Sequence, residues 1–292
     1  MYVVAGVTGH TGKAVAEALL AKGAPLRVIV RSEEKGAAWK KRGAEVAVSS
    51  LEDAGALNRT LAGASGAYLL LPPNYTADDF LDAMRQTADA LGWAARASNI
   101  AHVVFLSSVG AQLPSGTGPI QALRYAESAL GPAARNLTLL RPSYFMENWS
   151  EAVQGVLADG ALHSFFPAGF AFPMIATADI GRIAADSLLA PASGRRILEL
   201  EGPQDYSPED IAAAFAAATR RPVHVAVHPL EAMIPALTSA GLKPGIAALL
   251  AEMTGAIASG YVRREGGRCE FRRGTVRAED AIAAMLPQHA TR

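Results

Sequence analysis

Close to the start of the chain, Gly6-Val7-Thr8-Gly9-His10-Thr11-Gly12 spaces three glycines directly after an apolar run. Glycines so placed suit a strand-to-helix turn that cradles phosphates. Gly6 allows the tight turn, Gly9 lets the backbone approach a pyrophosphate, and Gly12 lets a helix lie close to a sheet. The free amides and dipole of that helix start favour an anion. Thr8 and Thr11 add hydroxyl donors, and His10 stands in the same turn as a cofactor neighbour or as a space-filler. In a chain with 27 glycines the pattern alone is weak, and its placement between strand and helix gives it weight.

A second group with chemical content is Arg31, which follows the apolar run Val28-Ile29-Val30. Folds that bind NAD place an acid at the end of this strand to accept from the ribose hydroxyls. An arginine suits a 2′-phosphate instead, through a charge-assisted contact of about 1.5–3 kcal/mol. The expected cofactor is therefore NADP(H), with Lys13 and Lys35 able to assist.

Other polar clusters carry less. Cys269 is the only cysteine, so no internal disulfide and no CxxC metal pair can form, and no metal site is expected. Asp78, Asp79 and Asp82 read as a helix start, where the dipole favours acids. The arginines at 263, 264, 268, 272, 273 and 277 alternate with Glu265 and Glu270 and read as a solvated C-terminal face. Lys+Arg and Asp+Glu balance at 27 each, which removes any global electrostatic case for nucleic acid or an anionic membrane. The apolar stretch 246–262 contains Glu252 and is not expected to span a membrane. Without a signal-like N-terminus, a cytoplasmic protein is expected. The sequence leaves a homodimer open.

The elements that must position these residues follow from rhythm. Dense apolar runs at 2–7, 26–30, 45–48, 66–71, 102–106 and 137–140 predict six parallel strands buried on both faces. Helices are expected between them at 11–21, 33–41, 54–61, 77–97 and 120–130. That alternation predicts an α/β fold, a Rossmann-type doubly wound parallel sheet with its ligand crevice at the strands' carboxyl ends. Residues 1–144 form the expected cofactor-binding domain, and 145–292 a smaller α+β lobe that completes a substrate pocket and partly returns to the sheet. In that lobe a helix is expected at 145–157, an aromatic loop at 163–173, and a helix at 179–189 with Thr177 or Ala178 near its cap. A strand at 197–200 follows, then a helix capped by Ser207 with Pro208 in its first turn, a strand at 223–227 and a last helix at 278–286.

Several segments together resemble the NmrA-like group of atypical short-chain dehydrogenase/reductases. They are Val4-Ala5-Gly6-Val7-Thr8-Gly9, Leu69-Leu70-Leu71-Pro72-Pro73-Asn74, Val104-Phe105-Leu106-Ser107-Ser108-Val109, the run from Leu140 to Asn148, and Ile175-Ala176-Thr177-Ala178-Asp179-Ile180-Gly181. The resemblance implies that Ser50 and Leu51 flank an adenine, and that Leu71, Pro72 and Pro73 border the cofactor cleft. It further implies that Ser107 and Ser108 lie near the nicotinamide ribose, and that Tyr144, Phe145, Met146 and Asn148 line the substrate side. One departure stands out. Ordinary short-chain dehydrogenases use Tyr-xxx-Lys, yet Tyr125 is followed four positions later by Ala129. Glu127 matches the glutamate of the group's helix, its lysine is missing, and Arg124 and Tyr125 are the weak catalytic candidates. The resemblance therefore implies an NADPH-dependent reductase that passes hydride to a conjugated, electron-poor small molecule such as a quinone or dye. The alternative is an idle NADP(H) sensor acting through a protein partner.

Overall fold

A computed structural model describes residues 1–287; the last five residues of the expected lobe, 288–292, lie outside the described residues. The N-terminal half alternates strand and helix as the apolar runs dictate. β1 (Tyr2–Val4), α1 (His10–Ala21), β2 (Leu26–Val30), α2 (Glu33–Lys41), β3 (Glu45–Val48) and α3 (Ala54–Leu61) make the first three units. β4 (Gly66–Leu70), α4 (Phe80–Ala97), β5 (His102–Leu106), α5 (Ile120–Leu130) and β6 (Asn136–Pro142) make the rest. α4 starts three residues later than its sequence pattern suggests. Asp79 accepts from the Asp82 amide at 2.9 Å and caps it, which explains the acidic cluster without any catalytic role.

The remaining chain supplies a lobe and two more strands of the main sheet. β7 (Tyr144–Phe145) leads into a 3-10 helix, Met146–Ala152, and only then into α6 (Val153–Asp159). The single helix expected over 145–157 is thus a short strand and two helical pieces. The expected aromatic loop is likewise bounded by β8 (Ala161–Ser164) and β9 (Phe172–Ile175). After α7 (Thr177–Leu189) come β10 (Arg195–Glu201), β11 (Asp205–Tyr206), α8 (Pro208–Thr219), β12 (His224–Val227), α9 (Met233–Ser239), α10 (Pro244–Ala258), β13 (Glu270–Arg273) and α11 (Ala278–Met285). Ser207 and Asp210 form a reciprocal capping box on α8, with Pro208 in its first turn.

The main sheet has eight strands rather than six, in the order β3-β2-β1-β4-β5-β6-β10-β13, and every pairing is parallel. The strand order reverses direction between β1 and β4, which places a ligand crevice outside their carboxyl ends. The arginine-rich segment, expected as a solvated face, instead contributes the edge strand β13 beside β10. Several of its charges pair locally: Glu270 meets Arg196 at 2.6 Å, and Arg264 meets Glu201 at 2.9 Å. Two apolar layers flank the sheet, one with α3, α4 and α5, the other with α1 and α7. A third core, including Met146, Trp149, Phe172 and Phe215, holds the lobe together. α1 and α7 approach so closely that a Cβ on Gly181 would strike Ala14.

Candidate functional site

The glycine loop has the geometry its spacing implies. Gly6 takes φ +71°, and a Cβ there would meet the Leu70 side chain. A Cβ on Gly12 would strike the carbonyl oxygens of Ala5 and Gly6, so α1 rests against β1 only because position 12 is glycine. Gly9 is different. Its Cβ would face open space but for the Gly6 oxygen at 3.5 Å. Gly9 is also the N-cap of α1 and offers no side-chain acceptor, which leaves the amides of the first turn for a ligand. Thr8 and His10 are exposed beside the loop, and Thr11 is buried under it. Arg31 is exposed just past β2, without a salt-bridge partner among the described residues, and Ser50 and Leu51 follow β3 on the same carboxyl edge.

A cavity of about 790 Å³ runs from Thr11 across the ends of the central strands. Leu71 and Pro73 after β4, and Ser107 and Ser108 after β5, form one side; Pro72 stands exposed outside it. Tyr144, Phe145 and Asn148 face it from the lobe, whereas Met146 is fully buried in the third core and is packing. Phe170, Phe172 and Pro173 add an aromatic wall, in which Tyr144 meets Phe172 edge-on at 5.4 Å. Leu250, Met253 and Ile257 of α10 close the other side, with Val262, Arg263 and Arg264 beyond them. That wall was legible only as an unassigned apolar stretch at 246–262, whose spare apolar face was the available signal.

Electrostatics inside the site are ordered by one buried chain. Ser107 donates to Glu127 at 2.6 Å, and Arg141 grips the same carboxylate with two bonds of 2.8 and 2.7 Å. Arg195 adds a third contact at 3.2 Å. Glu127 and Arg141 are each 3% exposed, so removing either partner would strand a buried charge, at a cost of about 3–5 kcal/mol. Burial works against the Arg141 charge, but the carboxylates of Glu127 and Glu265 outweigh it and hold its pKa above the ordinary value. Because Ser107 has committed its proton to Glu127, its lone pairs remain to accept from whatever enters the cavity. Ser143 also lines the cavity, and its buried hydroxyl has no partner among the described residues.

Neither weak catalytic candidate lies in this cavity. Tyr125 is exposed on the outer side of α5 and donates to Asp89 at 2.9 Å. That hydrogen bond, and then the Asp89 charge, push the phenol's pKa up, the wrong direction for a proton donor near neutrality. Arg124 donates to the Gln112 carbonyl at 2.8 Å and lines a separate polar cleft with Glu127, Arg195 and Arg268. The phenols that do line the cavity are Tyr75 and, on the lobe side, Tyr144. Burial pushes the Tyr144 pKa up to about 12, against the lowering influence of Asn148, so this phenol keeps its proton across the physiological range. Other family-like residues are fasteners. Glu147 accepts from the Thr177 amide and hydroxyl at the start of α7, and buried Asp179 accepts from the amides of Thr275 and Val276 at 2.8 Å.

Among the described residues no cluster of three His, Cys, Asp or Glu could hold a metal, and no helix is long and apolar enough to cross a membrane. The chain is similar to an NAD(P)H azoreductase of Xenophilus azovorans, 26% identical over 257 residues that span 87% of this chain and 86% of that protein. Its fold matches a crystal structure of an NADPH-dependent quinone oxidoreductase from Escherichia coli complexed with NADPH, with TM-score 0.79, 22% identity and 98% and 99% of the two chains covered. A Citrobacter triphenylmethane reductase complexed with NADP(H) superposes with TM-score 0.75 at 18% identity, over 99% and 98% of the chains. A family model described as NmrA-like matches residues 2–255, and the chain belongs to that family.

Proposed function

We propose that this protein is an NADPH-dependent reductase that delivers hydride to a flat, conjugated, electron-poor acceptor of the quinone or dye type. The observation that carries this reading is the continuity of one cavity, from the uncapped start of α1 at Thr11 to the aromatic wall at Phe172. The residues fit a phosphorylated dinucleotide on structural grounds. The space a Gly9 Cβ would take is open and the α1 amides lack a side-chain cap; among the described residues Arg31 has no salt-bridge partner and the Ser143 hydroxyl in the cavity has no hydrogen-bond partner. When bound, the cofactor supplies the hydride.

The chain's own residues bind and orient. The α1 amides receive the pyrophosphate and Arg31 the 2′-phosphate. Ser107, held by Glu127, accepts from a ribose hydroxyl. Apolar side chains of β4, β5 and α10 exclude water, and the Tyr144 and Phe172 rings set the plane of the acceptor. A conjugated acceptor delocalises incoming charge, so placement can carry the reaction without Tyr-xxx-Lys. Tyr144 is positioned to offer a neutral hydroxyl to the acceptor. The reading is supported by the relatives' names, which describe reductases using NADPH or NAD(P)H. Stopped-flow oxidation of NADPH by the purified protein with a quinone panel tests it. Hydride transfer to at least one quinone is expected; tight NADPH binding with no oxidation would overturn the enzyme reading in favour of a nucleotide sensor.

A further inference from the structure

Three ionisable side chains besides the tyrosines line the cavity: Glu201, Arg263 and Arg264. Two of them cancel. Arg264 meets Glu201 at 2.9 Å and lies over the Phe271 ring at 4.5 Å, so its charge is spent within the wall. Arg263 is exposed and its guanidinium has neither an acidic partner nor a hydrogen bond among the described residues. Its backbone is nevertheless fixed. Gln112 donates to the Arg263 carbonyl at 2.8 Å, Val262 donates to Ala256 at 3.0 Å, and the Tyr261 hydroxyl donates to Ser115 at 3.2 Å. A tethered backbone therefore presents one uncompensated cation beside the apolar face of α10. Glu151 acts on Tyr75 and Tyr144 through its charge but does not line the cavity.

We propose that Arg263 is a specificity-determining residue that selects aromatic acceptors bearing an anionic group, a sulfonate or carboxylate, over neutral and cationic ones. This rests on the reading above and names its substrate class. An apolar cavity lowers the local dielectric, so a lone charge on its wall acts more strongly than the same charge on an open surface. The same charge repels a cation entering that wall, which is discrimination by an unfavourable contact. Because Arg263 is exposed, the effect is set at the low end for charge-assisted contacts, about five- to tenfold.

Two arms test this independently of each other. In the first, 2-naphthalenesulfonate and neutral 2-methoxynaphthalene are titrated calorimetrically into wild type and Arg263→Ala, both saturated with NADP⁺. The ratio of their affinities is expected to fall about five- to tenfold in the variant, and Arg263→Glu should reverse the preference toward a cationic triphenylmethane dye. In the second, KM is compared for a naphthoquinone sulfonate and a neutral naphthoquinone, with the sulfonate's KM rising as salt screens the contact. An unchanged affinity ratio in Arg263→Ala, or a salt-independent KM ratio, would overturn the assignment while leaving quinone reduction intact. Absence of turnover with every quinone would sink the reductase reading, and the binding arm would still decide for or against Arg263.

Discussion

Arg31 stands exposed past β2 and makes no salt bridge among the described residues, which leaves its charge available to a ligand. On the proposed reading, Arg31→Ala weakens NADPH binding about tenfold or more and leaves NADH nearly unchanged, by loss of one charge-assisted contact. Calorimetry showing equal losses for both cofactors would remove the 2′-phosphate assignment. The two phenols make a complementary pair. Tyr125 points away from the cavity to Asp89, so Tyr125→Phe should lower the hydride-transfer rate less than about tenfold, against the 10²- to 10⁴-fold loss expected of a true acid. Tyr144→Phe removes the hydroxyl that faces the cavity and should raise the acceptor's KM. Stopped-flow traces in which Tyr125→Phe is the slower of the two would reverse these roles. The sequence offered Tyr125 for its place on a helix; which way the phenol points depends on α4, and no local pattern encodes that.

At the scale of elements, the turn from β1 to α1 assigns opposite duties to two of its glycines. Gly9→Val projects into open crevice, so the fold should persist while NADPH binding is lost. Gly12→Ala drives a methyl into the carbonyls of Ala5 and Gly6, and should cost about 1–3 kcal/mol of stability as overpacking. Urea unfolding separates them, and a Gly9→Val protein that still binds NADPH would show the loop to be misread. This turn, like β2 and β4 to β6, was legible because strands buried on both faces become dense apolar runs; β3 carries a similar run but is a partly exposed edge strand, not one buried on both faces. β8, β9 and β13 were not. β13 reads Glu-Phe-Arg-Arg and pairs on one side only, so its polarity matched that of a solvated face. The stretch 145–157 has an apolar content that suits either kind of helix, and its 3-10 portion buries Met146 and Trp149 in the lobe core.

The whole molecule carries a pH dependence unrelated to the site. His102 on β5 is 1% exposed, with Nε2 3.1 Å from the Thr138 hydroxyl and Nδ1 unpartnered among the described residues. Burial, and then the nearby charge of Arg196, lower its pKa to about 4 from 6.5. Between those values the unfolded chain binds a proton that the folded chain refuses, so stability is full above about pH 6.5 and falls as pH drops toward 4. At about pH 5 the loss is on the order of 2 kcal/mol, at 1.36 kcal/mol per pKa unit. Urea midpoints between neutral and acidic pH should show this slope, and His102→Gln should flatten it. An equal slope in the variant would place the acid sensitivity elsewhere.

The route of the chain through the main sheet also bears on how the protein can be made. β6 is flanked by β10, and β10 by β13, so the strands that cover β6 come from much later in the chain, up to residue 273. A nascent chain that has emerged only to β6 holds six of the eight strands of the main sheet with a naked, apolar edge: Leu137, Leu139 and Leu140 lie on that strand. Such an edge is a template for pairing with another chain. The molecule therefore stays vulnerable to aggregation until residue 273 has been synthesised and docked. The last two strands to join the main sheet act as a late seal, and a fragment cut after residue 144 should precipitate rather than survive as a small independent unit.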